Sequence, residues 1–141
     1  MKMPNIGLLI FMLALSQPQA AISQLPKKPI SVDQAKKLVL AALTLKTRSL
    51  PGFGLELEHD SGPEYADYYN FMGDWDGAEG GSAMLGFYAV DPETGDVFSG
   101  TVGCYEISTT ALRKLQKEFR YQIGLSAETY KKIKKKGPLC Q

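Results

Sequence analysis

Histidine and cysteine are scarce in this sequence: the one histidine is His59, and the two cysteines are Cys104 and Cys140. A zinc-type centre needs several such ligands close together, so no metal site is assigned. A serine triad would have to be built on His59. No serine lies in a Gly-x-Ser-x-Gly elbow, since Gly80-Gly81-Ser82-Ala83-Met84 lacks the second flanking glycine. The acidic stretch from Asp74 to Ala83 also fails as an EF-hand loop: Gly77 comes one ligand too early, and the sixth residue after it is alanine instead of glutamate. Carboxylates are numerous enough for a glycosidase dyad, but a chain this short has little volume for a deep cleft as well. No catalytic residue and no cofactor is assigned, and the chain is read as a non-enzyme.

A long apolar run is missing too. The stretch from Ile6 to Leu15 is far short of the roughly 20 residues that span a bilayer. Preceded by Lys2 and followed by Ser16, Ala20 and Ala21, it has the layout of a secretory signal peptide. Residues 1–21 are therefore expected to be removed, leaving residues 22–141 as one periplasmic or secreted domain. In such a compartment two cysteines are expected to pair. A Cys104–Cys140 bond would stabilise the fold by roughly 4 kcal/mol in the chain-entropy model.

Positive charge is absent from the whole middle of the chain. From Ser49 to Leu112 there is no lysine or arginine, against twelve carboxylates, among them Glu56, Asp74, Asp76, Glu79, Asp91, Asp96 and Glu106. The flanks are basic, with a net +5 from Ile22 to Arg48 and +7 from Arg113 to Gln141. If these parts fold onto different surfaces, the molecule is strongly dipolar although nearly neutral.

What is present gives a clear order of elements. Ser31 and Gln34 form the S-x-x-Q capping box of a helix whose apolar stripe is Val32, Ala35, Leu38, Val39, Ala42 and Leu45. Pro51, Gly52 and Gly54 break it. Phe53, Leu55 and Leu57 then alternate with Glu56 and Glu58 as a half-buried strand. A second strand is expected from about Tyr65 to Met72, a third from Met84 to Val90 and a fourth from Val97 to Val102, the last two joined by a tight turn containing Pro92 and Gly95.

Ser108 or Thr109 caps a helix with the stripe Leu112, Leu115, Phe119 and Ile123, ended by Gly124; Ser126 opens a last short helix stopped by Gly137 and Pro138. The expected fold is α+β: an antiparallel sheet of about four strands packed by an N-terminal helix, with a basic C-terminal helical segment (113–141) tied by the disulfide.

The stretch Gly73 to Ser82, with Asp74, Trp75, Asp76 and Glu79 among four glycines, is expected to be a hairpin loop. Two fates are open to Trp75: an exposed anchor filling a partner's pocket, with the carboxylates steering a basic target, or a ring folded back onto the sheet. Asp74, Trp75, Asp76 and Glu79 are the expected partner-binding residues. The run Lys131, Lys132, Lys134, Lys135 and Lys136 is dense enough to touch phosphates, but an exported chain seldom meets nucleic acid. Contact with anionic lipid, wall polymer or an acidic partner is the alternative to a solvated helix face.

The segment ISVDQAKKLVLAAL (30–43) followed by GFYAVDPETGDVFSG (86–100) resembles the PepSY pattern of an isoleucine-led helix and a strand ending in V-D-x-x-T-G-x-V. With GGSAMLGFYAVDPETGDV (80–97) the chain is also similar to small immunity proteins of nuclear-transport-factor-like fold. Both resemblances imply a structural role for the turn from Asp91 to Val97, and non-enzymatic work: inhibiting peptidases or neutralising toxins. The chain departs from a plain PepSY module in the two basic helices that it adds beyond Cys104. Two functions stay in view: an inhibitor or immunity protein that neutralises a periplasmic cell-wall-degrading enzyme or peptidase through the acidic Trp75 loop, and an accessory envelope protein that binds wall polymer or anionic lipid through its basic C-terminal helices.

Overall fold

The computed structural model describes residues 30–58, 68–100 and 103–137. The expected signal peptide, His59, the start of the second expected strand (65–67), residues 101 and 102, Pro138 and Cys140 lie outside the described residues.

Helix α1 (Val32–Ala42) starts where the capping box predicts: the Gln34 amide donates to Ser31 Oγ at 3.2 Å, and the Ser31 amide donates to Gln34 Oε1 at 2.9 Å. Its inner face buries Ala35, Leu38, Val39 and Ala42. Both ends of the expected stripe are outside the core, with Val32 37% and Leu45 73% exposed. The reason is local: the chain is extended at Leu43, and Thr44 accepts the Thr47 amide to begin a separate short helix, α2 (Leu45–Arg48).

The sheet has five strands instead of four, β1 (Gly54–Leu57), β2 (Tyr69–Asp76), β3 (Ser82–Val90), β4 (Val97–Ser99) and β5 (Tyr105–Glu106). Each pairs antiparallel with its neighbour in chain order, so the sheet is a simple meander. Strand β2 runs four residues beyond the expected end at Met72, and β4 stops at Ser99. Two residues in β5 are too few to show any alternation.

The β3–β4 turn is as tight as its sequence requires. The Gly95 amide donates to the Asp91 carbonyl (2.8 Å), the Glu93 amide to Asp91 Oδ1 (2.8 Å), and the Asp91 amide to the Asp96 carbonyl (3.0 Å). Gly95 sits at φ +72°, and a Cβ there would lie 2.8 Å from Ile30 Cδ1. Only glycine combines that backbone with that neighbour.

Helix α3 (Thr110–Gln122), capped by Thr109, buries Leu112, Gln116 and Phe119, so the basic segment that begins at Arg113 starts inside a core helix. It runs antiparallel to α1: Thr109 Oγ1 donates to the Ala41 carbonyl, and Gln34 Nε2 to Gln122 Oε1 at the other end. The two helices cover one face of the sheet. There Leu38, Val39, Leu112 and Phe119 meet Leu55, Phe71, Tyr88, Val90 and Val97, each large side chain contributing roughly 1.5–3 kcal/mol. Ser126 caps the last helix, α4 (Ala127–Lys134).

Candidate functional site

The residues singled out from the sequence gather at one end of the sheet, but not as a loop. Asp74, Trp75 and Asp76 belong to β2, with partners Met84, Ala83 and Ser82 on β3, and only Gly77 to Gly81 turn the chain. The loop is closed by the Gly77 amide donating to the Gly81 carbonyl at 2.5 Å. The glycines before it in the chain explain why the strand extends so far. The carboxyl groups of Asp76 and Asp74 occupy the space where side chains on Gly52 and Gly54 would stand. The Asp76 amide also donates to the Pro51 carbonyl at 2.8 Å.

Alternation along β2 separates the expected set. Asp74 and Asp76 share the face turned away from α1 and α3, whereas Trp75 lies on the helix side. Its ring is half-buried and outside the core cluster, intermediate between the two fates foreseen for it. Glu79 is exposed at the hairpin tip.

On the outer face the carboxylates meet residues that the sequence pattern did not single out. Asp74 is the register partner of both Gly54 and Met84, and Met72 of both Glu56 and Phe87. Met84 is 58% exposed, a large apolar side chain opposite Asp74 on this face. Strict alternation in β3 would have put Met84 on the inner side with Gly86. The register irregularity opposite Gly73 and Asp74 inserts Leu85 and reverses that parity. None of Glu56, Asp74, Asp76 and Glu79 has an ion-pair partner among the described residues; the nearest polar contact is Ser82 Oγ to Asp74 Oδ2 at 3.5 Å.

The opposite end of β3 is chemically different, because its principal carboxylates are paired. Arg120 on α3 donates through Nε to the Thr94 carbonyl (2.8 Å) and through Nη2 to Asp96 Oδ1 (2.6 Å), while Gln116 Nε2 reaches the Gly95 carbonyl (2.9 Å). Tyr130 on α4 donates its hydroxyl to the same carboxylate (3.1 Å to Oδ1), and its ring lies under the Arg120 guanidinium, 3.9 Å away. Lys134 binds Glu106 on β5 (2.6 Å) and the Tyr130 hydroxyl (3.2 Å).

Burial raises the Asp96 carboxyl above the ordinary range against the pull of Arg120 and Lys134, and burial and the Asp96 charge raise Tyr130. Burial works against the Lys134 ammonium, yet its bonds to Glu106 and Tyr130 together hold its pKa above normal. These contacts join α3 and α4 to the turn, and α4 to β5 as well. Among the described residues, no group of three His, Cys, Asp or Glu side chains is placed to hold a metal ion.

No family model matches the chain, and no curated protein matches it. Among solved structures, a chain of a type VI secretion system effector-immunity complex from Pseudomonas protegens is similar to it, with a TM-score of 0.60 at 22% identity, covering 80% of this chain and 91% of that chain. At that identity the likeness establishes a shared fold.

Proposed function

We propose that this chain is an exported, non-catalytic binding protein of the immunity type, which neutralises a cell-wall-degrading enzyme or peptidase in the periplasm by covering it with the acidic end of the sheet. The observation that carries the reading is the set of carboxylates with no ion-pair partner among the described residues, Glu56, Asp74, Asp76 and Glu79, at the end of the sheet that also carries the exposed Met84. Apolar contact with like charges on the same end supplies affinity and steering together: Met84 desolvates, and the carboxylates attract a basic surface and reject acidic ones. The fold shared with a chain of an effector-immunity complex supports the same class of work. Trp75, on the opposite face, borders this surface at the hairpin. Export rests on residues 1–21, and a Cys104–Cys140 bond would tie the C-terminal tail to the chain beside β5.

The test is binding of the mature chain to the enzyme encoded beside its gene. A stoichiometric complex that inhibits the enzyme is expected. Asp74→Asn with Asp76→Asn should lower the association rate about tenfold at low salt and flatten its salt dependence. An unchanged rate and salt slope would remove the acidic end from the interface, and free enzyme activity at saturating protein would refute inhibition altogether.

A further inference from the structure

The fold places the two charged regions of the sequence at opposite ends of one strand. Strand β3 leaves the acidic hairpin at Ser82 and reaches the turn that holds α4 at Val90, a distance of about 26 Å at roughly 3.3 Å per residue. At the α4 end folding cancels negative charge: Asp96 is paired with Arg120, and Glu106 with Lys134. Asp91, which accepts the Glu93 amide within the turn, the exposed Glu93, and Glu58, whose amide donates to the Asn70 carbonyl, are carboxylates at this end with no ion-pair partner among the described residues.

The lysines are sorted by the same contacts. Tyr130, Ile133 and Lys134 form the side of α4 held against the protein, where Tyr130 binds Asp96, Lys134 binds Glu106 and Ile133 borders a small cleft with Tyr68 and Phe98. Lys131, Lys132, Lys135 and Lys136 are exposed and take no part in these contacts. Lys132 pairs with Glu128 one turn earlier. Among the described residues no carboxylate pairs with Lys131, Lys135 or Lys136. Side chains on the other side of α4 fix the helix to the body of the protein; Lys131 stands on the helix, and Lys135 and Lys136, just past its end, are joined to it by their amides, which donate to the Lys131 and Ile133 carbonyls.

We propose that this outer side of α4 docks on a membrane surface rich in anionic phospholipid headgroups, with the acidic hairpin directed away from the bilayer. Charge complementarity selects the occupant: three uncompensated ammonium groups within six residues fit a surface of dispersed phosphates, where each basic residue adds to partitioning and no shaped pocket is needed. The inference uses none of the residues of the proposed inhibitory surface, so either can fail alone.

The experiment is vesicle co-sedimentation of the chain from Ile22 onward, which contains every described element and lacks the apolar run from Ile6 to Leu15. Vesicles of phosphatidylcholine alone are compared with vesicles containing phosphatidylglycerol. Binding is expected on the anionic vesicles, and is expected to vanish as the Debye length falls from about 10 Å towards 3 Å with added salt. Replacing Lys131, Lys135 and Lys136 by Gln should lower partitioning about fivefold per lysine, on the order of a hundredfold in all. Asp74→Asn with Asp76→Asn should leave it unchanged or stronger, and equal thermal melts of all variants establish that they fold.

Equal binding to both vesicles, absence of binding to the anionic ones, or full binding by the triple variant would each overturn the proposal. So would sedimentation with purified peptidoglycan and not with vesicles.

Discussion

Asp96 offers a sharp test of how the turn and the C-terminal helices are held together. Its carboxylate is only 6% exposed and receives Arg120 Nη2 and the Tyr130 hydroxyl. Asp96→Ala removes the acceptor for both donors and leaves the guanidinium, itself 20% exposed, without its counter-charge. Breaking a fully buried pair costs about 3–5 kcal/mol. Partial exposure of Arg120 and its retained bond to the Thr94 carbonyl bring the expected loss to about 2–3 kcal/mol, or about 10 °C in melting temperature.

Asp96→Asn should cost less, about 1 kcal/mol or below, since the amide oxygen still accepts one donor and a buried charge disappears. The pH dependence distinguishes burial from pairing. Because burial raises the folded pKa above the ordinary 3.8, the folded state binds the proton more tightly than the unfolded chain. That stabilising contribution is complete below the unfolded pKa and is lost as pH rises through the folded pKa. In urea melts the stability difference, wild type minus Asp96→Asn, should therefore shrink as pH rises from about 3 towards neutrality. A difference that grows with pH would mean that the Arg120 pair outweighs burial, and an Asp96→Ala protein within about 0.5 kcal/mol of wild type would refute the structural role of the cluster.

Gly95→Ala should cost about 2–3 kcal/mol, from positive φ and the press of a methyl against Ile30 and Leu38; thermal melts followed by circular dichroism measure it. Ser31→Ala should cost about 1 kcal/mol through loss of the α1 cap, and Ser31→Asp, which keeps an acceptor, should restore most of it. Trp75→Ala should cost about 1–2 kcal/mol, as expected of a half-buried ring, well below the 3–5 kcal/mol or so expected for Phe71→Ala in the core. Equal losses at both positions would place Trp75 in the core after all.

The features legible in the sequence are those whose physics is local. Ser31, Thr109 and Ser126 cap their helices because each side chain needs only an amide three residues ahead, and the tight turn at 91–96 follows from Pro92 and Gly95. The division of charge was legible by counting. Strand β2 continues past the expected end at Met72: the aromatic run around Tyr65 to Phe71 is the stronger β signal in the sequence, and the glycine-rich stretch where the strand goes on reads as a loop. That continuation depends on Gly52 and Gly54, twenty or more residues away, leaving room for two aspartates. Met84 was hidden by a change of parity that no single strand reveals. The Asp96 cluster joins residues 24 and 34 positions apart, a separation at which pattern gives no guide to contact.

The pairing of α1 with α3 constrains the order in which the chain can acquire its structure. Each strand of the meander finds its partner in the next stretch of chain, and such local closures are quick. Helix α1 instead waits for residues 68 and 88 positions further on, Thr109 for Ala41 and Gln122 for Gln34. During synthesis from the N-terminus, Leu38 and Val39 have no helical neighbour until α3 has left the ribosome. The helical layer over the sheet is therefore completed only after all five strands have been made.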